Sequence, residues 1–215
     1  MTSPILSILC GSVQPFRAPD EPSAIAKRPV GGSVRVHRLG LAGDEQADLA
    51  VHGGPDKAIH HYPHDHYAWW RAAIGDHALL AAPGAFGENI STEGMTEESV
   101  CIGDRYRLGT ALAEVSQGRQ PCWKLDHRFG GLAINAGVVQ SRRSGWYYRV
   151  IEEGEVAAGD AIALVDRPHE GWTVRRVFGL LIAGEHKRDR AGLAALTAVE
   201  PLADPWKRRL AQLLG

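Results

Sequence analysis

Cysteine is scarce: Cys10, Cys101 and Cys122 are the three in 215 residues. An odd number without paired spacing excludes a disulfide-stapled scaffold, and free thiols are expected. No run approaches the roughly 20 apolar residues that a membrane helix needs. The opening MTSPILSILCGSV holds an apolar stretch of about six residues with no basic flank, too little for a secretory signal. Charge of one sign is also missing. The formal net charge is -1, so no global field draws in nucleic acid or anionic lipid. GxGxxG, phosphate-loop and HExxH patterns are absent, and there is no tandem repeat. What is left is a protein expected in a reducing cytoplasm, with no nucleic acid and no membrane among its partners.

Glycine (25) and proline (12) are plentiful, and 44% of residues are apolar. That combination favours a turn-rich, β-rich fold with a sizeable core over a helical bundle. Strands are expected at 5–14, 33–39, 103–109 and 111–117, with a strand–turn–strand over 145–165 whose turn is GEVAAGD (154–160). A helix is expected over 63–73, extended chain at 86–90, and one or two short helices within 122–143. Strand character fades near Arg167-Pro168. Beyond it, 172–183, 190–199 and 204–214 show helical apolar spacing, with Asp204-Pro205 as a helix start. The expected architecture is a β-rich, mixed α/β, barrel-like domain over 1–167 and a small three-helix unit over 168–215.

Three groups of residues could carry chemistry. In QGRQPCWKL, Cys122 follows Pro121 at a strand exit, with Arg119 and Lys124 close by. Positive charge favours the thiolate, which is both nucleophile and soft-metal ligand. The competing reading is a small apolar residue packed at a strand end, which suits Cys10 and Cys101 in their apolar surroundings. In VHGGPDKAIHHYP, two glycines allow close backbone approach to an anion. Lys57 brings charge there, and His52 and His60 bring ring nitrogens. His61, His64 and His66 follow, so that five histidines fall within 52–66. No zinc-hydrolase spacing connects them, and His64 and His66 read as packing or solvent-facing residues. A third, scattered set comprises Lys27, Asp44, Gln46, Glu88, Asn89, Arg142, Arg143 and Ser144. Each reads singly as a solvated or turn residue. Together they offer donors for a phosphorylated, heteroatom-rich ligand.

The segments GLAGDEQADLAVHGGPDKAIHHYP, FGENI, QGRQPCWKL and SGWYYRV, in that order, resemble the YiiM-type branch of the MOSC family. The C-terminal helices resemble the 3-alpha domain that follows MOSC in that branch, so the resemblance spans nearly the whole chain. It implies a barrel-like MOSC fold and a molybdenum cofactor (Mo-molybdopterin) whose metal is held by Cys122. It implies reduction of N-hydroxylated compounds of the hydroxylaminopurine type, a detoxifying activity. Electrons would come from a separate flavin or iron–sulfur donor protein, since the chain has no motif for either group. The helical unit is a candidate docking surface for that donor. Arg119, Lys124, His52, Lys57 and His60 match the shared motifs as cofactor-binding residues. Lys27, Asn89 and Arg142 match by position. His52 or His60 would supply the proton as the N–O bond breaks. Gly118 stands where the family pattern suggests a proline.

Rival readings stay open. A carrier of cofactor or sulfur would use a persulfide on Cys122. A zinc hydrolase would use the histidine cluster. A pyridoxal-phosphate enzyme would use Lys27 or Lys57, and would show a visible absorbance band.

Overall fold

The computed structural model describes residues 2–18, 21–48 and 53–215. Its elements run β1 (Thr2–Cys10), β2 (Gln14–Pro15), β3 (Pro22–Ser23), β4 (Arg28–Pro29), β5 (Val34–His37), β6 (Gly40–Leu41), β7 (Ile59–His61), α1 (His66–Ile74), β8 (Ile90–Thr92), β9 (Arg105–Leu108) and β10 (Ala111–Gly118). They continue with α2 (Trp123–Arg128), α3 (Ile134–Ser141), β11 (Trp146–Glu152), β12 (Gly154–Val156), β13 (Ala161–Asp166), α4 (Val174–Leu181), α5 (Arg190–Ala195) and α6 (Asp204–Leu214).

Seven strands close a barrel in the order β13-β9-β10-β11-β7-β8-β1, with β1 returning to β13 and β4 added beside β1. The barrel is mixed, because β7 and β8 run parallel while the other neighbours are antiparallel. Alternation in β1 sends Ile5 inward between exposed neighbours, as a half-buried strand requires. The whole of β10 is buried, on one face by the barrel interior and on the other by the C-terminal helices. Gly154–Val156, expected as a bare turn, instead forms β12 and pairs with β5 at Val156↔Val34. Burial of Val156 on Val34 outweighs the turn signal of the surrounding glycines.

The C-terminal segment forms the three expected helices. Thr173 caps α4 by accepting a hydrogen bond from the Arg176 amide. Asp204 is the first residue of α6, not its cap, which falls on Ala203. Ala203 donates its amide to the Ser116 carbonyl of β10 at 3.0 Å. Trp206 lies against Gly118, where an added Cβ would come within 3.0 Å of the indole. Gly118 thus leaves room for Trp206 at the end of β10. Barrel and helices share one hydrophobic cluster, running from Ile5 and Val115 through Val177 and Phe178 to Leu210.

Candidate functional site

One end of the barrel gathers the C-terminal ends of β1 and β10, the start of β8, and strand β7. The register Gln117↔Tyr147↔His60 aligns three polar side chains across β10, β11 and β7. Just past β10 the chain turns at Arg119–Pro121, and Cys122 takes the N-cap position of α2 with extended backbone. A cavity opens here. Its wall includes Lys27, Asp44, Lys57, His60, Arg119 and Cys122, together with Asn89, Lys124 and Tyr147. Residues far apart in sequence, and weak singly, therefore meet at one place.

Cations dominate this wall. Lys27 is buried and bridges both carboxylate oxygens of Asp44. Asp44 also accepts the Gly11 amide at 2.8 Å and the Asn89 side-chain amide at 2.8 Å. Asn89 in turn accepts the His60 amide at 3.0 Å and donates to the Leu9 carbonyl at 3.1 Å. Asp44 is thus the clamp that orders Lys27 and Asn89, a role hidden in a sequence where the three lie far apart. Lys57 ends a single 3-10 turn, Pro55–Lys57. Burial lowers its pKa, opposed by Asp56, Asp48 and Cys122, so the Cys122 sulfur lies within its electrostatic reach. Lys124 is buried and donates to the Pro22 carbonyl at 3.2 Å.

Two buried groups at the cavity are under-bonded. Arg119 is 6% exposed, and its Nη1 has no hydrogen-bond partner among the described residues. The Nε2 of His60, a residue 3% exposed, also has none among the described residues. An unanswered buried guanidinium nitrogen is costly, and an anionic ligand would answer it. Burial, then Arg119, holds the His60 pKa well below its ordinary value, while a hydrogen bond to the Gly87 carbonyl works the other way. The ring is therefore uncharged at neutral pH. The neutral ring still carries one N–H, and its environment favours that uncharged form.

Tyr147 is a cavity residue that the sequence reading missed. Its ring lies 5.0 Å from that of His60, and burial raises its pKa while Arg119 lowers it. Only the strand register reveals it, since WYYRV offers three aromatics of equal appearance. Arg142 does not reach the cavity. It ends α3 in the left-handed region (φ 60°) and pairs with Glu185. His52 lies outside the described residues.

The other histidines have separate partners. His61 is fully buried between the Tyr148 hydroxyl at 3.0 Å and the Thr92 hydroxyl at 2.8 Å. His66 meets Glu97 at 2.6 Å, and His64 meets Glu93 at 3.2 Å. Among the described residues no group of three His, Cys, Asp or Glu side chains is arranged to hold a metal ion. None of the three cysteines forms a disulfide. Cys101 is buried, as expected. Cys10 sits beside Asp44, and burial pushes its thiol up to about 11, which makes it inert beside Cys122.

A thiol, four cations and two unanswered polar atoms around one cavity fit an anionic, heteroatom-rich group bound through a soft metal. Residues 48–163 match the MOSC domain. The chain is 44% identical over 162 residues to protein YiiM of Escherichia coli strain K12, covering 75% of this chain and 72% of that protein. It is 42% identical over 156 residues to a Gibberella moniliformis protein named reductase, covering 72% of this chain and 28% of that longer protein. The crystal structure of YiiM from Geobacillus stearothermophilus superposes with a TM-score of 0.82 at 31% identity, covering 99% of this chain and 100% of the other. The match over more than half the sequence, and the shared closed barrel with its C-terminal helices, establish that this chain belongs to the MOSC domain family.

Proposed function

We propose that the chain is a reductase of N-hydroxylated compounds that works with a molybdenum cofactor held by Cys122. The observation that carries this reading is the cavity itself, where Cys122 faces Arg119, Lys27, Lys57 and Lys124. The fungal relative named reductase supports it. When bound, the molybdenum would supply two-electron removal of oxygen from an N–O bond. The chain's own residues have simpler tasks. Arg119 and Lys57 would hold phosphate and other anionic groups of the pterin, with Arg119 Nη1 gaining the partner it lacks. Asp44 would keep Lys27 at the wall as an ordered donor. His60 would stay neutral and help exclude water.

In the overall reaction the N–O bond breaks, nitrogen and oxygen each gain a proton, and two electrons arrive from a separate flavin or iron–sulfur protein. Hydroxylaminopurine-type bases are the proposed substrates. The decisive test is Cys122→Ser, made in a host that synthesises the cofactor. Metal and pterin analysis should show bound molybdenum lost, and turnover of a hydroxylamine with an artificial electron donor should vanish. Full molybdenum and full turnover in that variant would overturn the proposal. A persulfide mass on wild-type Cys122, with ready cofactor release and no turnover, would instead assign a carrier.

A further inference from the structure

A second cleft opens on the other side of the Cys122 segment. It is lined by Gln120, Pro121, Asn135, Val139, Gln140 and Ile182. The chain from Arg119 to Cys122 therefore forms a partition. Arg119 and Cys122 face the first cavity, while Gln120 and Pro121 face the cleft. Pro121 is bonded to Cys122, so a protein seated in the cleft would sit one residue from the sulfur.

Cations lie on the elements that bound this cleft. Residues 168–215 carry eight Lys and Arg against five Asp and Glu, a net +3, whereas residues 1–167 carry sixteen against twenty, a net -4. Lys187 and Arg188 are exposed on the turn that follows Ile182. Arg142 ends α3, two residues beyond Gln140, and joins that turn through Glu185. Arg143 stacks on Trp69 with its guanidinium carbon 4.6 Å from the ring centroid. Arg209, on α6, reaches the Leu181 carbonyl at 3.5 Å. Among the described residues no carboxylate pairs with Arg143, Lys187, Arg188 or Arg209. Among the described residues, Asn135 Oδ1, Arg142 Nε and Arg143 Nε also have no hydrogen-bond partner. An apolar floor of Pro121, Val139 and Ile182 inside a charged rim has the anatomy of a protein interface.

We propose that this cleft and its cationic rim are the docking site of an acidic electron-transfer protein, which delivers electrons next to Cys122. The proposal rests on the reductase reading, because a two-electron reduction requires an outside source in a chain with no flavin or iron–sulfur motif. Charge complementarity chooses the occupant: the rim is the basic part of an otherwise acidic molecule, and rim charges of this kind set encounter rates and their salt dependence.

The test compares the wild-type holoenzyme with Lys187→Glu/Arg188→Glu, two exposed positions away from the cavity. A reduced acidic [2Fe–2S] ferredoxin serves as protein donor, and reduced methyl viologen as small donor. The expected result is a KM for ferredoxin raised roughly tenfold or more, with the viologen rate unchanged and a wild-type ferredoxin rate that falls with salt. A parallel variant, Arg35→Glu/Arg38→Glu on β5 and the turn after it, should leave the ferredoxin KM alone. An unchanged KM in the first variant, or an equal rise in both, overturns the docking site. Loss of the viologen rate in the wild type would sink the reductase reading instead. Docking is then read without turnover, from amide shifts when the same ferredoxin is titrated into labelled protein. Shifts confined to Val139, Gln140 and Ile182 support the site, and shifts elsewhere, or none, refute it. Binding of a short DNA duplex in place of ferredoxin through the same cations would also refute it.

Discussion

Two buried charged clusters sit in this barrel, and they differ in how completely their hydrogen bonds are answered. At Asp104, which is fully buried, every oxygen has partners. One oxygen accepts the Cys101 amide at 2.9 Å, the Tyr106 hydroxyl at 3.0 Å and an Arg167 nitrogen at 2.6 Å, and the other accepts Arg167 Nε at 2.9 Å. Arg167 also donates to the Ser99 carbonyl at 2.8 Å, and the Asp104 contact raises its pKa. At Arg119 and His60 the described residues leave a guanidinium nitrogen and a ring nitrogen without partners. Each cluster has a buried anchor, Asp104 in one and Arg119 in the other, and each includes an arginine. A satisfied cluster holds structure together, whereas an unsatisfied one bordering a cavity marks where something else belongs.

The sharpest way to break this contrast is to remove one member of each cluster. Asp104→Ala strands Arg167 and unties Tyr106 and the Cys101 turn, and should cost about 3–5 kcal/mol of stability in chemical denaturation. Arg119→Met removes a charge that nothing among the described residues fully answers. Stability should change by no more than about 1 kcal/mol, while pterin retained after dialysis falls on the order of tenfold. If both variants destabilised the fold equally, the distinction would fail.

The neighbouring histidines sharpen it further. Burial holds His61 at a pKa of about 3 in the folded protein. The unfolded chain protonates near 6.5, so between those values it binds the extra proton and the folded state does not. Stability from this ring is therefore full above about pH 6.5 and declines as the pH falls toward 3, by about 3 kcal/mol at pH 4. His61→Gln should flatten the acid limb of the stability profile by close to one proton between pH 6 and 4, whatever its cost at pH 7. An unaltered acid slope would mean that His61 is not the group that titrates on unfolding.

Much of this was legible in the sequence, for reasons particular residues make plain. The hairpin at Gly109-Thr110 and the three C-terminal helices follow from local signals, and the structure has them. Cys122 stands out by its company of Pro121, Arg119 and Lys124. The Lys27–Asp44–Asn89 clamp was illegible, because its members sit on different strand ends that only barrel closure brings together. Tyr147 was hidden by its aromatic neighbours, since which of the three faces the cavity depends on register with His60. The strand at Gly154–Val156 was missed because its partner, Val34, is remote in sequence.

Arg142 separates likeness of sequence from placement in space, through the smallest effect of the set. Its position in a matching segment suggests a cofactor contact, yet its side chain pairs with Glu185 at the surface of the helical unit. A half-exposed pair of this kind contributes about 0–1 kcal/mol. The backbone there is left-handed, a conformation that costs an ordinary side chain about 1 kcal/mol or more and glycine almost nothing. Arg142→Ala should then lower stability by up to about 1 kcal/mol, because it loses the pair and keeps the strain. Arg142→Gly loses the same pair but sheds the strain, and should come out within about 0.5 kcal/mol of wild type. Both should retain molybdenum and pterin in full when made in a cofactor-competent host. A fall in pterin content in both variants, at unchanged stability, would place Arg142 at the cofactor after all and would extend the site across the partition into the second cleft.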